Sequence, residues 1–476
     1  MNLARSFTAL DQAAFADLSG DRNPVHMSAA EARRTQAGAP VVHGLHALLW
    51  ALDALQAHGT SLEAVAALRV QFSKFIYLDR RVEVVEEPQG RHGRRFSIKD
   101  GALTLVSISL RFDERAPAVS GATGAEVAPG SVPADLALAD MDGLEGWLPA
   151  HRPASAYARA FPHLARAWDE RRVQALATLS CLVGMVCPGR HSLLARLELQ
   201  LLQAIGTQAG VGFASVADER FRTIDLRVQG GGTAGKVSAY ARVPPVEPPS
   251  MAQIVERVQA REFEQMTALV VGGSRGLGAA AAKIIAAGGG RVCLTYAHAE
   301  AEARAVAADI QACRGSSACE FFQLDVLDPA ARDLSRLRGR FTHLFYFATP
   351  QIFEQGAAAF DQGRFHRFVE AYVIAFQAIS GSLLGESGLA VFYPSSAALA
   401  QRPRGMTEYS MAKAAGEILC ADMAAHDRRL RISVARLPRI LTDQTATVTP
   451  VESADAVRTM LPIVRSLGGA GSTLQV

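Results

Sequence analysis

The chain has 476 residues, too many for one ordinary core, and at roughly 100–200 residues per domain it should hold more than one. With 49% hydrophobic and 20% charged residues it is a globular composition and not a disordered one. Its 49 basic and 46 acidic residues leave a formal charge of +3 and no concentrated basic stripe, so nothing points to a nucleic-acid partner. The cysteines Cys181, Cys187, Cys293, Cys313, Cys319 and Cys420 form no CxxC pair and no disulfide framework, as expected in a reducing cytoplasm. The opening MNLARSFTALDQAAF carries no apolar h-region, and no apolar run approaches the ~20 residues that span a bilayer. A cytoplasmic protein with no membrane partner is expected.

In chain order, a helical pattern at Asp11–Leu18 is followed by a turn and then by an apolar helix from His43. Strand-like runs come next, at Ala67–Ile76, Arg81–Glu87, Arg95–Lys99 and Leu103–Phe112. Arg115–Asp135, rich in Ala, Gly, Pro and Ser, reads as a loop or linker. The apolar Gln174–Met185 then precedes strand-like Leu193–Leu202, Val211–Val216, Arg222–Val228 and Gly235–Arg242, repeating the earlier order without repeating its residues. The proline-dense Val243–Ser250 is an extended spacer. Three segments result, at 1–115, 136–243 and 251–476. In the first two, a helix followed by antiparallel strands suggests a sheet wrapped around one helix. In the third, apolar strands (Ala268–Val271, Val292–Tyr296, Phe321–Leu324, His343–Phe347) alternate with helices, which is the mark of a doubly wound parallel sheet.

The first loop of that sheet is Gly272-Gly-Ser274-Arg275-Gly276-Leu277-Gly278, between a strand and a helix. Glycines there let the backbone turn tightly and approach a pyrophosphate at a helix N-terminus. Farther on, Tyr409-Ser-Met-Ala-Lys413 places a phenol and an ammonium on one helix face, with Ser396 thirteen residues before the tyrosine. Taken alone, Tyr409 and Lys413 are an incidental surface pair; in register with the glycine loop they are not. The set resembles the short-chain dehydrogenase/reductase family. The resemblance implies a Rossmann fold in which Tyr409 protonates a carbonyl oxygen. Lys413 lowers the phenol's pKa and holds the ribose, and Ser396 orients the carbonyl. It implies that Asp325 and Val326 meet the adenine, although Asp325 reads equally as a helix N-cap. The second strand ends in Tyr296-Ala297-His298 with no carboxylate, and Arg275 is suited to a 2′-phosphate, so NADPH is expected over NADH. The chain departs from the family pattern at Tyr346-Phe-Ala-Thr349, at Tyr372 in place of the proton-relay asparagine, and at Pro438-Arg439.

In segment one, Phe15-Ala-Asp-Leu-Ser-Gly-Asp21-Arg-Asn23-Pro24-Val-His26 is followed by Val41-Val-His43-Gly44 at the head of the apolar helix. Read alone, Ser19–Pro24 is a polar turn. The whole pattern resembles the MaoC-like (R)-specific enoyl-thioester hydratases. It implies that Asp21 and His26 share a water as general base and acid, while the Gly44 N–H meets the thioester carbonyl. His43 and His46 read as structural or pocket-lining groups and not as metal ligands, and His191 as a surface loop histidine. Segment two carries no such motif and reads as a degenerate half shaping an acyl tunnel. The fold expected is therefore an α+β double hot-dog followed by an α/β doubly wound Rossmann domain. The resemblance covers 1–113 and 266–450, and 136–243 only faintly.

Together the two sites imply a bifunctional 3-oxoacyl-thioester reductase and (R)-3-hydroxyacyl-thioester dehydratase acting on acyl-CoA or acyl-carrier-protein substrates. The alternative is one active domain beside an acyl- or nucleotide-binding module. Both families commonly oligomerise, so a homo-oligomer is expected by analogy.

Overall fold

A computed structural model of the chain describes residues 3–90, 93–117, 124–352, 360–443, 445 and 451–468. The chain divides into two compact units, one running to Pro244 and the other starting at Pro245, within the proline-dense spacer.

The first unit is built on one ten-stranded antiparallel sheet. Its first five strands are β1 (Leu3–Ser6), β2 (Ala67–Phe72), β3 (Arg81–Gly90), β4 (Gly93–Asp100) and β5 (Leu103–Arg111). The others are β6 (Glu145–Pro149), β7 (Ser192–Leu201), β8 (Gly210–Asp218), β9 (Thr223–Gly230) and β10 (Thr233–Ala241). The strand order is β1-β3-β4-β5-β2-β7-β10-β9-β8-β6, so each half has the same order read outward from the centre. The halves join where β2 pairs antiparallel with β7, Leu68 opposite Leu199 and Val70 opposite Leu197.

Each half holds one long helix. Gly44–Ala57 buries Leu45, Leu48, Leu49, Leu52 and Leu55, a 3.6-residue stripe facing the core. Glu170–Cys181 is buried along almost its whole length and continues as a π-helical turn, Leu182–Val186. Side chains from both halves form one continuous apolar core, with Phe7, Leu48, Leu176 and Leu226 all inaccessible or nearly so.

The stretch read as a linker is strapped to the second half on either side of residues 118–123, which lie outside the described residues. Ala116 bridges to Leu202, Glu126 to Trp147 and Asp135 to Gly189. Backbone groups at these positions that would otherwise compete for water are thereby paired, and Glu126 adds to the sheet at its edge strand β6.

The second unit is a six-stranded parallel sheet: β11 (Thr267–Val271), β12 (Arg291–Tyr296), β13 (Cys319–Gln323), β14 (His343–Tyr346), β15 (Leu389–Ser396) and β16 (Leu430–Leu437). Its order, β13-β12-β11-β14-β15-β16, reverses direction at β11. In such sheets the crevice at the carboxyl ends beside the reversal receives the ligand. The glycine loop follows β11 there. Among the described residues no helix is long and apolar enough to cross a membrane.

Candidate active sites

In the first unit, helix Ala9–Ser19 ends at Gly20 and delivers Asp21 into the interior, 2% exposed. Asn23 caps the short helix Pro24–Met27 through its side-chain oxygen, and Pro24 starts that helix where a missing N–H costs nothing. The Asn23 amide nitrogen reaches across to the carbonyls of Gly184 (2.9 Å), Gly189 (3.0 Å) and Arg190 (3.4 Å), while its backbone N–H donates to Asp21 Oδ1 at 3.1 Å. Asn23 therefore ties the candidate loop to the second half of the unit.

The second half supplies more. Ser180 Oγ donates to Asp21 Oδ2 at 2.7 Å. A Cβ on Gly184 would stand 2.3 Å from Asp21 Oδ1, so only glycine leaves room for the carboxylate. His26 donates from Nδ1 to Val41 O at 2.8 Å, which leaves its Nε2 with a lone pair. The His26 ring stacks on His43, centroids 3.9 Å apart. One nitrogen or oxygen from each of Asp21, His26 and His43 lies within 4.8 Å of the others.

Burial raises Asp21 above its ordinary value, with His26, Ser180 and Asn23 opposing. Burial lowers His26, and the Arg242 guanidinium lowers it further against the pull of Asp21. His43 is held well below its ordinary value, first by burial. A carboxyl group and an imidazole whose Nε2 carries a lone pair thus stand together, a pair of the kind that exchanges protons with water. His43 Nδ1 lies 2.7 Å from Gln12 Oε1 and Nε2 3.1 Å from Asp21 O; a neutral ring donates its single N–H to one of these two acceptors, and His43 thereby braces the loop. Gly44 opens the long helix beside it, where a first-turn N–H has no intrahelical acceptor.

In the second unit, Gly272 and Gly276 have positive φ. A Cβ on Gly278 would lie 2.2 Å from Gly272 O, so its absence lets helix Gly276–Ala287 close onto the loop. Thr295 at the end of β12 accepts from the Gly272 and Gly273 N–H groups (3.2 and 3.0 Å). Ser274 is buried, and Leu277 packs against the core. The loop thus turns tightly onto the helix N-terminus, the arrangement by which backbone N–H groups approach a pyrophosphate in dinucleotide-binding sheets. Ser396, at the end of β15, hydrogen-bonds Tyr409 on helix Thr407–His426. Lys413, one turn on, donates from Nζ to Pro394 O at 2.6 Å.

Residues 2–109 match the family described as MaoC like domain, and residues 266–453 match that described as short chain dehydrogenase. The chain joins a MaoC-like domain to a short-chain dehydrogenase domain. Comparison with curated proteins gave no match. Among solved structures, a short-chain dehydrogenase from Burkholderia cenocepacia J2315 in complex with NADP is 24% identical, over 44% of this chain and 93% of that one, with a TM-score of 0.40. The short-chain dehydrogenase from Shigella flexneri is 20% identical over 45% and 89%, with a TM-score of 0.39. L-Sorbose reductase from Gluconobacter frateurii, complexed with NADPH and L-sorbose, is 18% identical over 39% and 72%, with a TM-score of 0.34.

Several expectations change. In the MaoC-like domain's companion half, His191 is buried, not a surface residue, and pairs with Asp135 at 3.2 Å. His43 belongs to the candidate cluster, while His46 lies apart, stacked on Phe15 at 4.7 Å and pushed down to about 3 by burial. In the dehydrogenase domain, Asp325 is not a helix cap. Its Oδ1 accepts from Leu327 N–H at 2.9 Å in a turn, and the helical turn beyond is capped by Asp328. Val326 sits buried in that turn, its carbonyl taken by Arg332 at 2.7 Å. Arg275 faces Asp443, 3.4 Å away. The phenol of Tyr409 stands above its ordinary value because it is buried, with the Ser396 bond opposing, so the lowering expected from Lys413 is not what this geometry gives. Ser180 and Gly184 carry no motif. The signal available was a hydroxyl and a glycine inside an otherwise apolar helical run.

Proposed function

We propose that the chain reduces a 3-oxoacyl thioester with NADPH and dehydrates the resulting (R)-3-hydroxyacyl thioester to a trans-2-enoyl product, on coenzyme A or an acyl-carrier protein. The observation that carries this reading is the presence on one chain of a buried Asp21 with a half-buried His26 beside a helix-opening glycine, and of a Ser396–Tyr409–Lys413 set in the same domain as a glycine loop suited to phosphate. The matching strand orders of the two halves support a double hot-dog, the second half lending Ser180 and Gly184 to the site and walls to the acyl chain.

In the dehydration, His26 Nε2 takes the proton from C2 as electron density moves to the thioester carbonyl, where the Gly44 N–H receives it. The C3 hydroxyl then leaves as water, accepting the proton from the imidazolium. Asp21 steadies that cation and orients the departing oxygen. Hydration runs the same path backwards.

In the reduction, Gly272, Gly276 and Gly278 would hold the cofactor's pyrophosphate, and Arg275, drawn from Asp443, its 2′-phosphate. When bound, the nicotinamide supplies the hydride. Ser396 orients the ketone oxygen, Tyr409 protonates it, and Lys413 places its charge at the ribose and phenol. Exposed Met411 and Ile418 on helix Thr407–His426 favour self-association through that face, giving a homo-oligomer.

The test is purified protein with NADPH and acetoacetyl-CoA. Oxidation of NADPH is expected, with mass analysis finding 3-hydroxybutyryl-CoA and crotonyl-CoA. An inert mixture with both CoA and carrier-protein substrates of several chain lengths would refute the reading.

A further inference from the structure

Lys413 is a buried ammonium in an unusual setting. It is 5% exposed, and among the described residues no carboxylate lies within ion-pairing distance of it. The nearest acid on its own helix, Glu417, is committed to Arg436 (2.7 Å) and to Ser395 (2.5 Å). Cys420, on the same helix, is a thiol that burial keeps protonated. From β15 come the Pro394 carbonyl and the face of Tyr393, whose ring centre is 4.9 Å from Nζ. From the π-helical turn Glu370–Ile374 comes Tyr372, whose ring centre is only 3.9 Å from Nζ. Burial pushes the ammonium down to about 7, with Cys420 and Glu417 opposing, and the groups that touch it are the two ring faces and the single carbonyl.

Tyr372 is itself held from every side. Its hydroxyl bonds Thr349 Oγ1, and its carbonyl accepts from the Tyr393 hydroxyl at 3.2 Å. Its ring stacks on Phe368 at 5.7 Å and meets the edge of Tyr409 at 5.7 Å. Gly416 makes the arrangement possible, since a Cβ there would stand 2.0 Å from the Tyr393 hydroxyl. The π turn that carries Tyr372 is a distortion of the kind found at functional sites. The two rings thus flank a charge that forms no ion pair with a carboxylate among the described residues.

We propose that Tyr372 is a positioning residue of the reductase site, its ring face keeping Lys413 a cation where a carboxylate would otherwise be needed. The proposal rests on the reductase reading for its purpose, though not for its geometry. Substituting leucine removes the quadrupole, while phenylalanine keeps it.

The experiment follows the Lys413 side-chain nitrogen by NMR titration in the full chain, together with the pH profile of acetoacetyl-CoA reduction. In Y372F the titration should stay near wild type. In Y372L it should move down by roughly one pH unit, and the alkaline limb of reduction should move with it, leaving the rate at the acid end little changed. An unmoved Lys413 titration in Y372L, or a rate loss equal at all pH values, overturns the proposal. Should Y372L not fold, fluorinated phenylalanines at position 372 keep the shape and weaken the ring face stepwise. The titration must then fall in step with fluorine content, and a flat series overturns the proposal. A shifted titration in a chain whose wild type reduces no 3-oxoacyl thioester sustains the cation-holding role and sinks the reductase reading instead.

Discussion

Arg242 is buried beside the candidate dehydratase pair, its guanidinium donating to the carbonyls of Ser192 (3.2 Å) and Arg190 (3.1 Å). The Arg190 carbonyl also takes the Asn23 amide, so this guanidinium stands two hydrogen bonds from the Asp21 loop. Burial, then the Arg242 charge, hold His26 below its ordinary 6.5. The sign follows directly. His26 acts as a base only when neutral, and a lowered pKa keeps it neutral into more acid solution. The acid limb of crotonyl-CoA hydration should therefore lie below pH 6.5. In R242Q it should move upward, and in R242K stay in place. A wild-type limb above the ordinary histidine value would contradict the assignment of His26 as base. Most of this was not legible in the sequence. Asp21, Asn23 and His26 announced themselves by spacing, whereas Arg242 is one arginine at a strand's end, and only the fold brings it to the pair.

At the level of elements, the hydrophobic period made the long helices and most strands readable, because a helix or strand with one buried face must repeat at 3.6 or 2 residues. What it hid were the short outer strands β1 and β6, of four and five residues, too brief to show a period. It also hid the two π turns, which depend on packing more than on residue type. The first of these, Leu182–Val186, brings Gly184 against Asp21. In G184A the new methyl would meet the carboxylate at 2.3 Å, beside backbone that Asn23 already pins. Relieving such overpacking costs about 1–3 kcal/mol of stability. The expected result is a lowered thermal midpoint and hydration reduced at least tenfold, with reduction by the second unit unchanged. Hydration at the wild-type rate in a folded G184A chain would show that Asp21 need not occupy its present position.

For the molecule as a whole, two units have separate cores, and under the proposed function the product of one is the substrate of the other, a 3-hydroxyacyl thioester. If that intermediate leaves one site freely before entering the other, the sites need not belong to the same chain. The argument is best tested in the oxidative direction, from crotonyl-CoA with NADP. NADPH can then appear only after water has added and the alcohol has been oxidised. D21N should give no NADPH from crotonyl-CoA yet oxidise (R)-3-hydroxybutyryl-CoA normally. Y409F should consume crotonyl-CoA without forming NADPH. Mixing the two variants should restore NADPH formation from crotonyl-CoA, after a lag that shortens as the D21N chain, which carries the working reductase, is added in excess. Failure of the mixture, with each variant retaining its remaining half-reaction, would mean that the intermediate is passed within a chain. The fusion would then be serving transfer and not merely keeping two enzymes in equal amounts.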